Sequence, residues 1–176
     1  QKEFFMVRVA RFEKVSLRRF VADWVATFPQ QTVEQAVAAY ERIRLPERAT
    51  SGSAGYDLFA PVGFELGAGE GIKIPTGLRV LIEEGWVLTI YPRSGLGFKY
   101  RFQLDNSVGV IDSDYARSDN EGHIFMRMTN DSREGKTLIV PSGTAFAQGI
   151  FLPFGITVDD HAQGVRNGGL GSTTGH

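Results

Sequence analysis

Between Val15 and Phe28 the apolar positions fall at Val15, Leu17, Phe20, Val21, Trp24, Val25 and Phe28, with polar and charged residues in the gaps. This is the i, i+3, i+4 spacing of an amphipathic helix, and it predicts one that starts after Ser16, a good N-cap residue, and stops before Pro29. A second stripe runs through Val33, Ala36, Val37, Tyr40 and Ile43 up to Pro46, and Thr32 followed three residues later by Gln35 is a capping-box pattern at its start. Helices this short are marginal alone in water. Residues 1–46 therefore read as a helical hairpin extension whose apolar faces pack on a larger body.

Beyond residue 47 the period changes. Stretches such as "GIKIPTGLRVLI", "GWVLTIYP", "VGVID", "HIFMRMTN" and "KTLIVPSGTAFAQGIFLPFGITV" alternate or run as short apolar, β-branched segments separated by Gly, Pro, Asn and Asp. All 21 glycines lie after residue 51, which marks a turn-rich β body rather than a parallel sheet with crossover helices. There is no fixed-period repeat and no convincing helical stretch in this part. The expected class is mainly β: a distorted, jelly-roll-like barrel over residues 47–160, followed by a C-terminal arm over residues 161–176.

Composition narrows the partners. The formal net charge is −1 with 22% charged residues, so nothing draws the chain generally to nucleic acid or anionic membrane, and an anionic ligand needs a local site. The absence of cysteine excludes disulfides and thiolate metal sites and fits a reducing compartment, with the cytoplasm as the expected setting. Three scattered histidines make a multi-histidine metal site unfavourable. No apolar run reaches the roughly 18 residues of a membrane span, and the N-terminal stretch lacks the apolar core of a signal peptide.

Several loops carry more polar chemistry than turns require. "GVIDSDYARS" sets Asp112, Asp114 and Tyr115 directly after an apolar run, although Asp, Ser and Gly also make ordinary turns. Asp57 stands between Tyr56 and Leu58, and an acid inside an apolar pattern needs a partner or a task. "YPRSGLGF" joins a guanidinium, a hydroxyl and glycines whose backbone lets N–H groups approach an anion closely. "RNGGLGSTTGH" repeats that chemistry at the C-terminus, where a flexible tail is the plainer reading. Together the loops supply what a metal-triphosphate site requires: cationic donors and amides for phosphates, carboxylates for Mg²⁺-bound water, and a base for an attacking water.

In their order and spacing, "AGYDLFAP", "PRSGLG", "GVIDSDY", "GTAFAQ" and "RNGGLGSTTG" resemble the five motifs of the homotrimeric dUTPases, over about residues 47–175. The resemblance implies a β-barrel of that type, hydrolysis of dUTP to dUMP and pyrophosphate, Mg²⁺ as cofactor, and a homotrimer with shared sites. That activity keeps uracil out of DNA and supplies dUMP for thymidylate synthesis. By the same resemblance Asp112 is the general base, and Tyr115 lies beneath the deoxyribose where a ribose 2′-OH would collide. Asn106 and the backbone of Gly109 read uracil in a narrow hairpin. Asp57 touches Mg²⁺-bound water. Ser94 and Gly95 hold phosphate, with Arg93 beside them, and Gln148 is a further phosphate contact. Arg166, Leu170, Gly171, Ser172 and Thr173 belong to an arm that closes over the γ-phosphate and the base.

The sequence also departs from that pattern. Thr144 and Ala145 stand where an acid and an arginine are usual, Leu170 stands where an aromatic ring usually stacks on uracil, and "ARSDNEGH" after Tyr115 is longer than the usual turn. Asp119 and Glu121 in that stretch read as a solvated loop. Two other functions compete. A dCTP deaminase of the same superfamily needs a glutamate where Arg127 aligns, and a guanidinium cannot exchange protons near neutral pH. A regulatory or binding protein of the same fold would use the helical hairpin to dock a partner.

Overall fold

A computed structural model describes residues 6–166 of the chain. Among these residues the strands are β1 (Ala10–Lys14), β2 (Glu47–Arg48), β3 (Tyr56–Phe59), β4 (Phe64–Leu66), β5 (Gly71–Pro75), β6 (Leu78–Ile82), β7 (Trp86–Pro92), β8 (Phe102–Leu104), β9 (Gly109–Ile111), β10 (Phe125–Asn130), β11 (Leu138–Val140) and β12 (Ala145–Pro153). The helices are α1 (Leu17–Thr27), α2 (Val33–Glu41) and α3 (Ser94–Tyr100), and a 3-10 turn covers Tyr115–Arg117.

The chain is mainly β, as its pattern predicts, but the strands form four sheets rather than one closed barrel. Their orders are β1-β6, β5-β10-β8, β11-β4 and β2-β3-β12-β7-β9. The nine-residue β12 is the central strand of the largest sheet, antiparallel to β3 on one side and to β7 on the other. Every pairing between these strands is antiparallel.

Both predicted helices form, with the predicted caps. Ser16 Oγ accepts the Arg19 N–H at 3.1 Å. Thr32 and Gln35 exchange both bonds of a capping box, at 3.2 and 2.8 Å. Phe20 and Trp24 of α1, Ala36 and Ala39 of α2, and Ile43 just beyond share one buried cluster with Leu58, Leu78, Leu88 and Phe146 of the β body. Val33, expected on the buried face of α2, is 53% exposed, because the small Ala36 and Ala39 make the close contact instead. The seat for the helices is Gly77, at φ +73°: a Cβ there would lie 2.2 Å from Ile43 Cδ1 and 3.0 Å from Phe20 Cδ2.

Two elements escaped the pattern. Strand β1 lies in the segment read as helical and pairs with β6, and Phe12 packs against Tyr56 and Phe151 at 5.5 and 5.6 Å between ring centroids. Its five residues, ARFEK, are too short and too charged to register as alternation. Helix α3 was concealed by Gly95 and Gly97, which read as turn residues. No helix among the described residues is long and apolar enough to cross a membrane.

The loop after Tyr115 supplies the polar clasp between the hairpin and the β body. Glu121 is not a solvated loop residue: its carboxylate accepts the Ser16 N–H at 2.7 Å and the Ser16 hydroxyl at 2.6 Å. His123 is fully buried, with Nδ1 2.6 Å from Asp23 Oδ2, while its Nε2 accepts the Gly77 N–H at 2.8 Å. Since Gly77 N–H can only donate, the proton sits on Nδ1, which donates to Asp23. Burial pushes the His123 pKa down, against the opposing pull of Asp23. For Glu121 burial pushes upward, but the two Ser16 hydrogen bonds, with Arg79 and Arg19, outweigh it and hold the carboxyl below the usual range.

Both shifts act in the same direction on folding. A group with a depressed folded-state pKa contributes stability that is present above its unfolded value and lost as pH falls through the folded one. The window opens below about pH 6.5 for His123 and below about 4.5 for Glu121. The melting temperature is therefore expected to decline from pH 7 to pH 4, and His123→Gln to flatten the upper part of that decline. An equally steep profile in the variant, followed by thermal melts across pH, would assign the loss to other groups.

Candidate active site

The predicted site residues gather in three places, and β7 sets the distances between them. At one end of the large sheet Gln148 lies opposite both Asp57 on β3 and Tyr91 on β7. Arg93 follows β7 directly, with Nε 3.4 Å from Asp57 Oδ1, and Ser94 and Gly95 begin α3. Gln148 Nε2 donates to the Pro92 carbonyl at 3.2 Å. Asp57 is thus an acid with a partner: its side chain is 20% exposed and its neighbour is the Arg93 guanidinium.

The second place is the turn between β8 and β9. The expected narrow hairpin is opened here, because β8 pairs with β10 while β9 pairs with β7. Between them lies a cavity of ≈ 430 Å³ lined by Ile90, Leu104, Asn106, Gly109, Phe125 and Arg127, among others. Asn106 and Gly109 therefore share one cavity, with apolar walls and a few polar groups, as a small planar ligand requires. Gly109 is buried against β7, and a Cβ there would sit 3.1 Å from Ile90 Cβ. Arg127, on the wall of this cavity, is engaged by an acid: its Nε is 2.9 Å from Asp105, which also accepts from Thr129 Oγ1 at 2.6 Å.

The third place holds the acid pair. Asp112 follows β9, whose Ile111 lies opposite Leu88, so it belongs to the far end of β7 from Arg93. Leu88 to Arg93 is five residues, roughly 16 Å of strand. The Asp112 and Asp114 side chains are 47% and 46% exposed, and one guanidinium bridges them: Arg166 Nη2 pairs with Asp112, and Nε donates to Asp114 at 2.8 Å. Tyr115 beneath is only 7% exposed, with the Arg166 guanidinium 5.9 Å from its ring centroid. Its hydroxyl donates to the His123 carbonyl at 2.8 Å and accepts from Asn120 Nδ2 at 3.0 Å, and burial pushes its pKa up. Leu170, Gly171, Ser172 and Thr173 lie outside the described residues.

The third and fifth motifs, more than fifty residues apart, thus meet on one surface. A model of the dUTPase family matches residues 41–174. The chain belongs to the dUTPase family. A dUTPase of Lactococcus lactis, named deoxyuridine 5′-triphosphate nucleotidohydrolase, is 43% identical over 134 residues, covering 74% of this chain and 88% of its own. The dUTPase of Streptococcus mutans superposes with a TM-score of 0.58 at 40% identity, over 68% of this chain and 91% of that one. A dUTPase variant of phage phi11 of S. aureus, whose structure describes a structural Mg(II) ion, superposes with a TM-score of 0.60 at 19% identity, over 89% of this chain and 98% of that one; this likeness is one of fold.

Sequence reasoning missed the supports of Tyr115. Asn120, His123 and Asp23 carry no motif, and Asp23 lies in a gap between the apolar positions of α1. The only hint was the unusual length of the loop after Tyr115. Among the described residues no group of three or more His, Cys, Asp or Glu side chains is arranged to hold a metal ion.

Proposed function

We propose that this dUTPase-family chain hydrolyses dUTP to dUMP and pyrophosphate, by attack of water on the α-phosphorus with Asp112 as general base. The observation that carries the reading is the junction of Asp112, Asp114, Tyr115 and Arg166: a solvent-reached carboxylate, a buried ring beside it, and a cation that a triphosphate can claim. Asp112 takes the proton from the water, and Tyr115 leaves no room under the sugar for a 2′-OH. The β8–β9 cavity takes uracil, with Asn106 and the Gly109 backbone as its polar readers. Ser94, Gly95 and Gln148 hold phosphates, joined by Arg166 and the arm residues Ser172 and Thr173.

A Mg²⁺ ion fits without a protein cage, because it keeps most of its waters and takes oxygens from substrate phosphates. Asp57 is the carboxylate that would accept a hydrogen bond from such a water, and the ion would neutralise charge on the phosphates. A base acting at the α-phosphorus must stand within a few ångströms of phosphates that Ser94 and Gln148 hold, yet roughly 16 Å of β7 separates those residues from the acid pair in one chain. This separation supports a site shared between copies, one supplying the acid pair and uracil cavity and another the phosphate-binding residues, as in the homotrimer that the motif resemblance implies. Ala145 is buried in β12 opposite Phe59, so the salt bridge usual at that motif has no counterpart here.

The test is pyrophosphate release from dUTP, dTTP, dCTP and UTP side by side; turnover of dUTP alone is the expected result, and deoxyuridine products from dCTP would instead favour the deaminase, against the engaged Arg127. For the sugar, Tyr115→Ala is expected to raise UTP turnover relative to dUTP by roughly 10- to 100-fold, since a pocket rejects an added hydroxyl by about that factor. Equal selectivity in variant and parent would remove Tyr115 from the sugar floor.

A further inference from the structure

The hairpin helix α1 lies outside residues 41–174, the part that matches the family, yet its polar side chains end on the loop that holds Tyr115. We propose that Asp23 and His123 are positioning residues for Tyr115, so that the N-terminal hairpin helps set how well the site excludes a ribonucleotide. The proposal rests on the reading of Tyr115 as the floor beneath the sugar.

The geometry leaves the loop little freedom. The Tyr115 hydroxyl donates to the backbone carbonyl of His123, so the ring can be no better placed than that carbonyl. The carbonyl's peptide is held on its far side, where the Ile124 N–H donates to the Leu78 carbonyl at 2.9 Å, and on its near side by the His123 ring. That ring is gripped at both nitrogens, by Asp23 of α1 and by the Gly77 N–H of the β body, and lies 4.6 Å from Phe125 and 6.1 Å from Phe20 between ring centroids. Asp23 is itself fixed, its second oxygen accepting from Arg19 Nη2 at 2.9 Å.

The loop then closes on the 3-10 turn. Asn120 donates to the Tyr115 hydroxyl and accepts the Gly122 N–H at 3.1 Å. Gly122 has φ +72°, and a Cβ there would lie 2.6 Å from Ala116 Cα, so only glycine allows this closure. Arg79 Nη2 holds the Ala116 carbonyl at 3.1 Å, and the Glu121–Ser16 bonds tie the loop to the start of α1 a second time. Removing the Asp23 acceptor leaves a buried Nδ1–H unpaired and frees one side of residue 123, and a backbone shift there that relieves it loosens the carbonyl that holds Tyr115.

A clasp that merely anchored the hairpin would change stability and leave selectivity alone. The experiment compares kcat/KM for UTP and dUTP in the full chain, below the melting temperature of each variant. Asp23→Ala is expected to raise the UTP:dUTP ratio by roughly three- to tenfold, the factor for one net hydrogen bond. Asp23→Asn keeps an acceptor for Nδ1–H and is expected to restore the ratio to within about twofold of the parent. Gln31→Ala, which breaks the 2.6 Å bond from Trp24 Nε1 in the same hairpin but touches no part of the loop, is expected to lower the melting temperature without moving the ratio. If Asp23→Ala does not fold, Glu121→Ala cuts the outer tie and is expected to raise the ratio by a smaller factor. An unchanged ratio in both, with Tyr115→Ala relaxed, overturns the coupling and leaves the sugar-floor reading standing. An unchanged ratio in Tyr115→Ala overturns both. An equal shift in Gln31→Ala assigns the effect to general loosening and also overturns the proposal.

Discussion

Replacing Asp112 by Asn is expected to lower kcat for dUTP by at least ~10²-fold, the contribution of a positioned general base. The substitution keeps shape and hydrogen-bonding capacity but removes the charge that accepts the proton of water. Binding of a non-hydrolysable dUTP analogue with Mg²⁺ is expected to change far less, because a carboxylate beside a polyanion is repulsive and its removal deletes no attractive contact. The Arg166 bridge makes Asp114→Asn an informative partner variant. It shares the turn, the exposure and the same guanidinium, so any effect that comes from releasing Arg166 occurs in both variants. A fall confined to Asp112 isolates proton transfer. The opposite pattern, with Asp114→Asn inactive and Asp112→Asn active, would shift the base by two residues and the register of Tyr115 and Asn106 with it.

The second large effect is on folding. Trp24 is fully buried, packs on Phe20 and Phe28 at 5.0 and 4.9 Å between ring centroids, and donates Nε1–H to Gln31 at 2.6 Å. Trp24→Ala empties the junction between the helices and the β body and leaves Gln31 without its donor, a loss of about 3–5 kcal/mol for a large aromatic side chain. Denaturant unfolding measures it. A loss under about 1 kcal/mol would mean that the helices and the β body do not unfold together.

The helices were legible because a stripe of Phe20, Trp24, Ala36 and Ile43 reports which face is buried, and because Ser16, Thr32 and Gln35 announce caps that depend only on neighbours in sequence. Motif order named the candidate site residues, and the structure groups Asp57 with Arg93 and Gln148, Asn106 with Gly109, and Asp112 with Tyr115 and Arg166. Strand β1 was not, since five residues with Arg11 and Glu13 between Ala10, Phe12 and Lys14 carry too little pattern, and its pairing with β6 is decided some seventy residues later. The clasp was illegible for a related reason. Asp23 and His123 stand a hundred residues apart, and periodicity records which positions avoid water without recording which polar groups meet. The same holds for Arg166 on its two acids: sequence named all three and could not say that they touch within one chain.

The length of β7 has a consequence for mixtures of damaged chains. If the acid pair and the phosphate loops of a working site come from different copies, two variants that are dead for different reasons can rescue each other. Chains carrying Asp112→Asn keep sound phosphate loops, and chains carrying Gln148→Ala keep a sound base. Unfolded together and refolded as mixed assemblies, they are expected to recover activity that neither population has alone, through sites that draw one healthy half from each parent. A site complete within each polypeptide allows no such complementation, and the mixture would stay as inactive as its components.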